Sequence, residues 1–251
     1  MKRTIITVAV CAVLVPWSGS GIGATEGKSS PPGAVKVQAA PESGDAVPLY
    51  KPRKGSIPRG RVDGGFRGGD RGEPVLRVLA PDHVGFTVKG EPPLYWYLSK
   101  ETSFPVEFTL VDTRAIPPIV ETSLSTPAHA GVQKVWLKDL GRSLEPGVQY
   151  LWSVSLIPDP ESRSRDIMAR GTIERIPFDE ALMLDLVKPC KRETIYVFAE
   201  KGVWYDAMAC VCDLIDANPQ DPALRKLRAS LLKQIDLNDV AEHDLKQNGN
   251  R

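Results

Sequence analysis

The sequence predicts an all-β antiparallel sandwich of immunoglobulin or fibronectin-III type over residues 75–176, followed by a small α-helical C-terminal unit over residues 177–238. Three observations carry that expectation. From Val75 to Ile176 the chain falls into about eight short runs of alternating polarity, separated by Pro and Gly at the spacing of a sandwich. In Leu94-Tyr95-Trp96-Tyr97-Leu98 the residues Leu94, Trp96 and Leu98 share one face, where such sandwiches bury a tryptophan. After Pro177 the period changes from two to nearly four, the mark of amphipathic helices.

Strands are expected near 75–80, 85–89, 94–99, 105–112, 118–124, 132–137, 148–157 and 166–176. The stretch from Leu144 through Pro146 and Gly147 to Tyr150 reads as a tyrosine corner, with Trp152, Val154 and Leu156 continuing its buried face. Trp96, Tyr150 and Trp152 are therefore candidate core residues.

Beyond the sandwich, Pro177 and Pro189 bracket a short helix from Phe178 to Val187, and Gly202 closes a second from Glu193 to Lys201. A helical pair follows. Apolar residues recur at Trp204, Ala207, Met208, Val211, Leu214 and Ile215, and Pro219 ends that run. Asp221-Pro222 caps and starts the next helix, with Leu224, Leu227, Leu231 and Ile235 on one stripe. The spacing of Gly202, Trp204, Ala207, Val211, Leu214 and Pro219 is similar to the second helix of a tetratricopeptide repeat. Only one such unit is present, so it needs a surface to pack on. Residues 239–251 are polar and expected to fray.

The N-terminus carries Lys2 and Arg3, an apolar run from Ile5 to Trp17 and small residues ending at Ala24. This is the pattern of a signal peptide over residues 1–24, too short and too broken by Pro16 for a membrane span. The expectation is an exported protein, periplasmic or extracellular, and not an integral membrane protein. Removing Lys2 and Arg3 takes the formal charge from +1 to −1, which argues against a dedicated nucleic-acid binder. Residues 25–74 read as a disordered basic linker rich in Pro and Gly; from Lys51 to Arg71, seven cations face Asp63 and Asp70. A solvated linker is the plain reading of that segment, and contact with anionic lipid or wall polymer is the functional one.

Reactive constellations are scarce. His83, His129 and His243 stand apart in sequence, and no His-x-x-x-His, Cys-x-x-Cys or Gly-x-Ser-x-Gly occurs. No cofactor motif is found, since the glycine-rich tract precedes the first strand instead of linking a strand to a helix. Cleavage would leave Cys190, Cys210 and Cys212. Cys210 and Cys212 project to nearly opposite sides of one helix and should not pair with each other; Cys190 with either of them, or buried thiols throughout, both fit. The loop Asp159 to Asp166 alternates acids and arginines and reads as an ion-pair set that fixes the loop. Tyr95 and Tyr97 point away from Trp96, so they form a candidate ligand face for a glycan or a partner protein; burial beneath the helices is the alternative.

Four segments together resemble an uncharacterised bacterial secreted family, Domain of Unknown Function 928. They are the Trp96 strand, the loop from Ser155 to Asp166 with its Arg163-Ser164-Arg165-Asp166 motif, Gly171 to Arg175, and Gly202-Val-Trp204-Tyr205-Asp206-Ala207. The likeness runs from about Arg71 to Leu237. It implies an extracytoplasmic accessory role and supplies no catalytic residues. Relatives often carry cysteines where this chain has Pro158 and Glu73-Pro74. The expected function is therefore a non-enzymatic interaction or scaffold module of the cell envelope whose partner is another envelope protein. The alternatives are a domain binding wall or extracellular polysaccharide through Tyr95 and Tyr97, and an enzyme whose site is not visible in sequence.

Overall fold

The computed structural model of the chain describes residues 47–53, 60–64, 74–125, 130–177 and 189–246. The signal segment, most of the linker, His129, the helix expected from Phe178 to Val187 and the last five residues lie outside the described residues. The fold is β-rich with a C-terminal helical layer. Among the described residues eight strands are formed: β1 (Leu76–Val78), β2 (Gly85–Thr87), β3 (Pro93–Leu98), β4 (Val106–Asp112), β5 (Val120–Leu124), β6 (Gly131–Trp136), β7 (Gln149–Leu156) and β8 (Ile167–Arg175). Four α-helices follow among these residues: α1 (Arg192–Glu200), α2 (Trp204–Ala217), α3 (Pro222–Lys233) and α4 (Asn238–Lys246).

The strands make two open sheets, one ordered β1-β3-β6 and the other β2-β8-β7-β4-β5. Every pairing is antiparallel except one: β2 runs parallel to β8, Gly85 opposite Ile173. The sheet is thus mixed, where an all-antiparallel arrangement was expected. No hairpin fixes the direction of β2 relative to β8, because most of the β region lies between them and serves as the crossover a parallel pair requires.

Alternation explains which faces are buried. In β4, Val106, Phe108, Leu110 and Asp112 point inward while the residues between them are half-exposed. Phe108 meets Trp152 of β7 at 6.5 Å between ring centres. Trp96, Tyr150 and Trp152 are all buried. Tyr150 completes its corner by accepting a hydrogen bond from the Glu145 amide at 3.1 Å. One continuous apolar core joins both sheets and all four helices.

Local chemistry sets the helix ends. The Asp221 carboxylate accepts from the Ala223 amide at 2.9 Å, and Pro222 occupies the first turn where its missing N–H is no loss. Between α1 and α2 the chain turns at Gly202, whose φ of +70° favours glycine. A Cβ there would also lie 2.5 Å from the Lys51 carbonyl oxygen.

That contact exposes a departure from the expected linker. Residues 47–53 are laid across the helical layer, whereas residues 60–64 pair with the sheets, Val62 bridging Arg170 of β8 and Gly64 bridging Leu76 of β1. The Lys51 amide donates to the Ala199 carbonyl at 3.0 Å, the Tyr50 amide to Gln234 Oε1 at 2.8 Å, and the Gln234 side-chain nitrogen to the Pro48 carbonyl at 2.8 Å. Arg61, counted in sequence among solvated cations, is nearly buried and donates through Nη1 to Ala80 of the sheet region and Ile235 beyond α3. Tyr50 is the apolar anchor that a reading of average composition overlooks; it packs edge-on against Trp204 at 4.9 Å.

The tail also differs from expectation. Residues 239–246 do not fray; they lie in α4, which buries Val240, Ala241 and Asp244. The polar residue Asp244 is what draws it in, because Arg228 of α3 is buried opposite and needs a carboxylate.

Candidate functional site

The residues that stand out chemically gather where α2 docks on the sheets. Trp204 opens α2 and donates its indole N–H to the Leu79 carbonyl at 2.8 Å. Tyr205, fully enclosed, accepts from the indole N–H of Trp152 at 2.9 Å and donates to the Thr172 carbonyl at 3.0 Å. Its ring passes over Gly85 so closely that a Cβ there would stand 2.6 Å from Cε2. Burial pushes the Tyr205 phenol well above its ordinary range.

Asp206 is the third member. One carboxylate oxygen accepts from the Val88 amide at 3.0 Å, the Thr87 hydroxyl also bonds the group, and Oδ1 is buried without a partner among the described residues. Loss of water dominates these bonds, so the carboxyl is pushed up to about 6. It is a weak acid buried against the end of β2.

Beside this block lie the thiols. Cys190 is half-buried, Cys210 and Cys212 are buried, and all three are free. Cys210 Sγ donates to the Lys191 carbonyl at 3.8 Å, which brings its thiol beside that of Cys190. The neighbouring thiol, aided by Lys89, holds the Cys190 thiol below its ordinary range, while the same contact and burial push Cys210 far up. Cys212 belongs to a different cluster. It accepts from Arg228 Nη1 at 3.4 Å, and Arg228 Nε donates to Asp244 at 2.7 Å. This buried group ties α2, α3 and α4 together.

The candidate ligand face does not survive burial. Tyr95 and Tyr97 are 4 % and 5 % exposed. Tyr97 packs edge-on against His243 of α4 at 5.1 Å, and the charges around Tyr95 are those of α2 and α3: Asp213, Asp216 and Arg228. The outer face of β3 is apolar enough to be covered, and the helical layer covers it. The two tyrosines hold helices and present no ring to solvent.

The loop from Asp159 to Asp166 is held by ion pairs: Arg163 reaches Asp166 at 2.7 Å and Glu107 of β4 at 3.0 Å, and Arg165 reaches Asp159 at 3.7 Å. Among the described residues, no three or more His, Cys, Asp or Glu side chains converge as a metal would require. His83 stacks on Tyr50 at 5.8 Å and bonds the Val84 carbonyl at 3.0 Å. Sequence reasoning missed the buried Arg228–Asp244 pair. The signal was there: Arg228 stands one turn after Leu224 and within the stripe that includes Leu227 and Leu231.

Fold and site together define a β-rich protein with a C-terminal helical layer keyed into its sheets by a Trp-Tyr-Asp block. The chain belongs to the family described as Domain of Unknown Function (DUF928), whose profile matches residues 62–245, covering both sheets and all four helices. No curated protein matches the chain. No helix among the described residues is long and apolar enough to cross a membrane.

Proposed function

We propose that the chain is an exported, non-enzymatic interaction module of the cell envelope, built on an immunoglobulin-like pair of sheets. Export is argued from Lys2 and Arg3, the run Ile5 to Trp17 and the small residues up to Ala24. The polar atoms of the Trp204-Tyr205-Asp206 block are largely taken up inside the fold, which favours a scaffold over a reaction site. The observation that carries the interaction reading is the β5 edge. No strand among the described residues pairs with its outer side, and its side chains are half-exposed or exposed. At the loop entering it, Ile116 is 97 % exposed. An uncovered edge strand headed by a bare aliphatic side chain offers main-chain hydrogen bonds and one apolar anchor to an extended partner segment. Glu121, exposed on the same strand, disfavours pairing of two copies by placing like charges together.

The test is crosslinking and co-purification of the mature chain from the envelope fraction, beside an Ile116→Asp variant. The variant should keep its melting temperature and lose capture of its partner by about tenfold or more, the scale of an interface anchor. A chain that stays unaccompanied, or capture that Ile116→Asp leaves intact, would overturn this reading.

A further inference from the structure

We propose that Cys190 and Cys210 form a redox-active dithiol that closes to a disulfide by exchange with an external disulfide, Cys190 being the entry thiol and Cys212 taking no part. The geometry selects this pair. Cys210 Sγ lies 3.8 Å from the carbonyl of Lys191, the residue next to Cys190, which places the two thiols side by side, each the strongest influence on the other's ionisation. The thiol of Cys212 is engaged instead by Arg228, in the cluster closed by Asp244.

Exposure assigns the roles. Cys190 is half-buried and precedes α1, whereas Cys210 is fully enclosed in α2. An oxidant therefore reaches Cys190 first. Lys89, on the segment after β2, favours a thiolate at Cys190, while Asp206 and Asp213 of α2 oppose it. Cys210, shielded from solvent, meets only a sulfur already delivered to it.

The exchange balances as follows. The Cys190 thiolate attacks one sulfur of an external disulfide; that S–S bond breaks, and one thiolate departs and takes up the proton Cys190 released. The new mixed disulfide is then attacked by Cys210 as its thiolate. The Cys190–Cys210 bond forms, and the second thiolate departs with the proton from Cys210. Two protein thiols are oxidised by two electrons, and one external disulfide is reduced to two thiols. A small-molecule disulfide and the active-site disulfide of an oxidoreductase share this chemistry. The bond would close a loop containing α1 and the Gly202 turn, fastening the entry to α1 against the middle of α2.

The full chain, reduced and then incubated with oxidised glutathione, tests this without relying on export or on any partner. Peptide mapping under non-reducing conditions should find Cys190 joined to Cys210, with Cys212 alkylated only after unfolding. The oxidised chain should melt several degrees above the reduced chain, as expected for closing a loop of this length. Cys190→Ser should abolish both the reaction and the shift. Cys210→Ser should instead stop at a stable glutathione adduct on Cys190, and Cys212→Ser should change neither product nor shift. If a variant does not fold, mapping of the unsubstituted chain alone decides. A Cys190–Cys212 bond, an unresolved adduct at Cys190 of the unsubstituted chain, or Cys190, Cys210 and Cys212 all alkylatable after oxidation would overturn the proposal.

Discussion

Asp206 shows how a single side chain is set by its surroundings. Burial raises its carboxyl to about 6, against about 3.9 in an unfolded chain. The folded state therefore holds the proton more tightly than the unfolded state. Below about pH 4 both states are protonated and burial of the acid adds no ionisation penalty. As pH rises from 4 to 6 the unfolded chain gains by ionising, and the penalty grows to about 3 kcal/mol above pH 6. Asp206→Asn should remove this slope, so that its stability advantage over the parent chain widens between pH 4 and pH 7. Denaturant titrations at several pH values measure it; parallel pH curves for the two chains would refute the assignment. Arg228 and Asp244 make the opposite kind of pair, each satisfied by the other in a buried setting. Asp244→Ala strands the guanidinium and should cost about 3–5 kcal/mol, whereas Arg228→Met with Asp244→Leu should be far milder. Equal losses in the single and double variants would show that the charge is not what matters there.

At the scale of elements, the strands were legible because alternation is a local property: each of the eight expected runs has its counterpart, from Leu76–Val78 to Ile167–Arg175. The parallel partner of β2 was not legible, since three residues carry no information about which distant strand they meet. Composition likewise hid the docked segments. Tyr50 and Arg61 are isolated in a Pro- and Gly-rich tract, and only the distant sheet and helix residues they meet make them structural. Gly202 links the two levels. Its left-handed φ belongs to the turn, and its closeness to the Lys51 carbonyl belongs to the docked strap. Gly202→Ala should therefore destabilise the chain by more than the ~1 kcal/mol of a strained turn alone. It should also speed proteolysis after Lys51 and Arg53. Loss of stability with an unchanged cleavage rate there would confine the glycine to its turn.

At the scale of the molecule, the candidate site was the least legible part. Tyr95 and Tyr97 alternate correctly with Trp96, yet alternation alone does not say whether the second face meets water or a helix. The thiol pairing was equally out of reach, because Cys190 lies outside the helix that carries Cys210 and Cys212. What decides both is the docking of α2 through Trp204, Tyr205 and Asp206, and the central claim is that this block makes sheets and helices one cooperative unit. Helices this short need tertiary burial to persist, so they should not outlast the sheets nor melt before them. Thermal unfolding of the full chain, followed at once by far-ultraviolet circular dichroism for the helices and near-ultraviolet dichroism for the buried tryptophans, is the direct measurement. The account predicts coincident transitions with a single midpoint; a helical signal that melts separately from the tryptophan signal would contradict it.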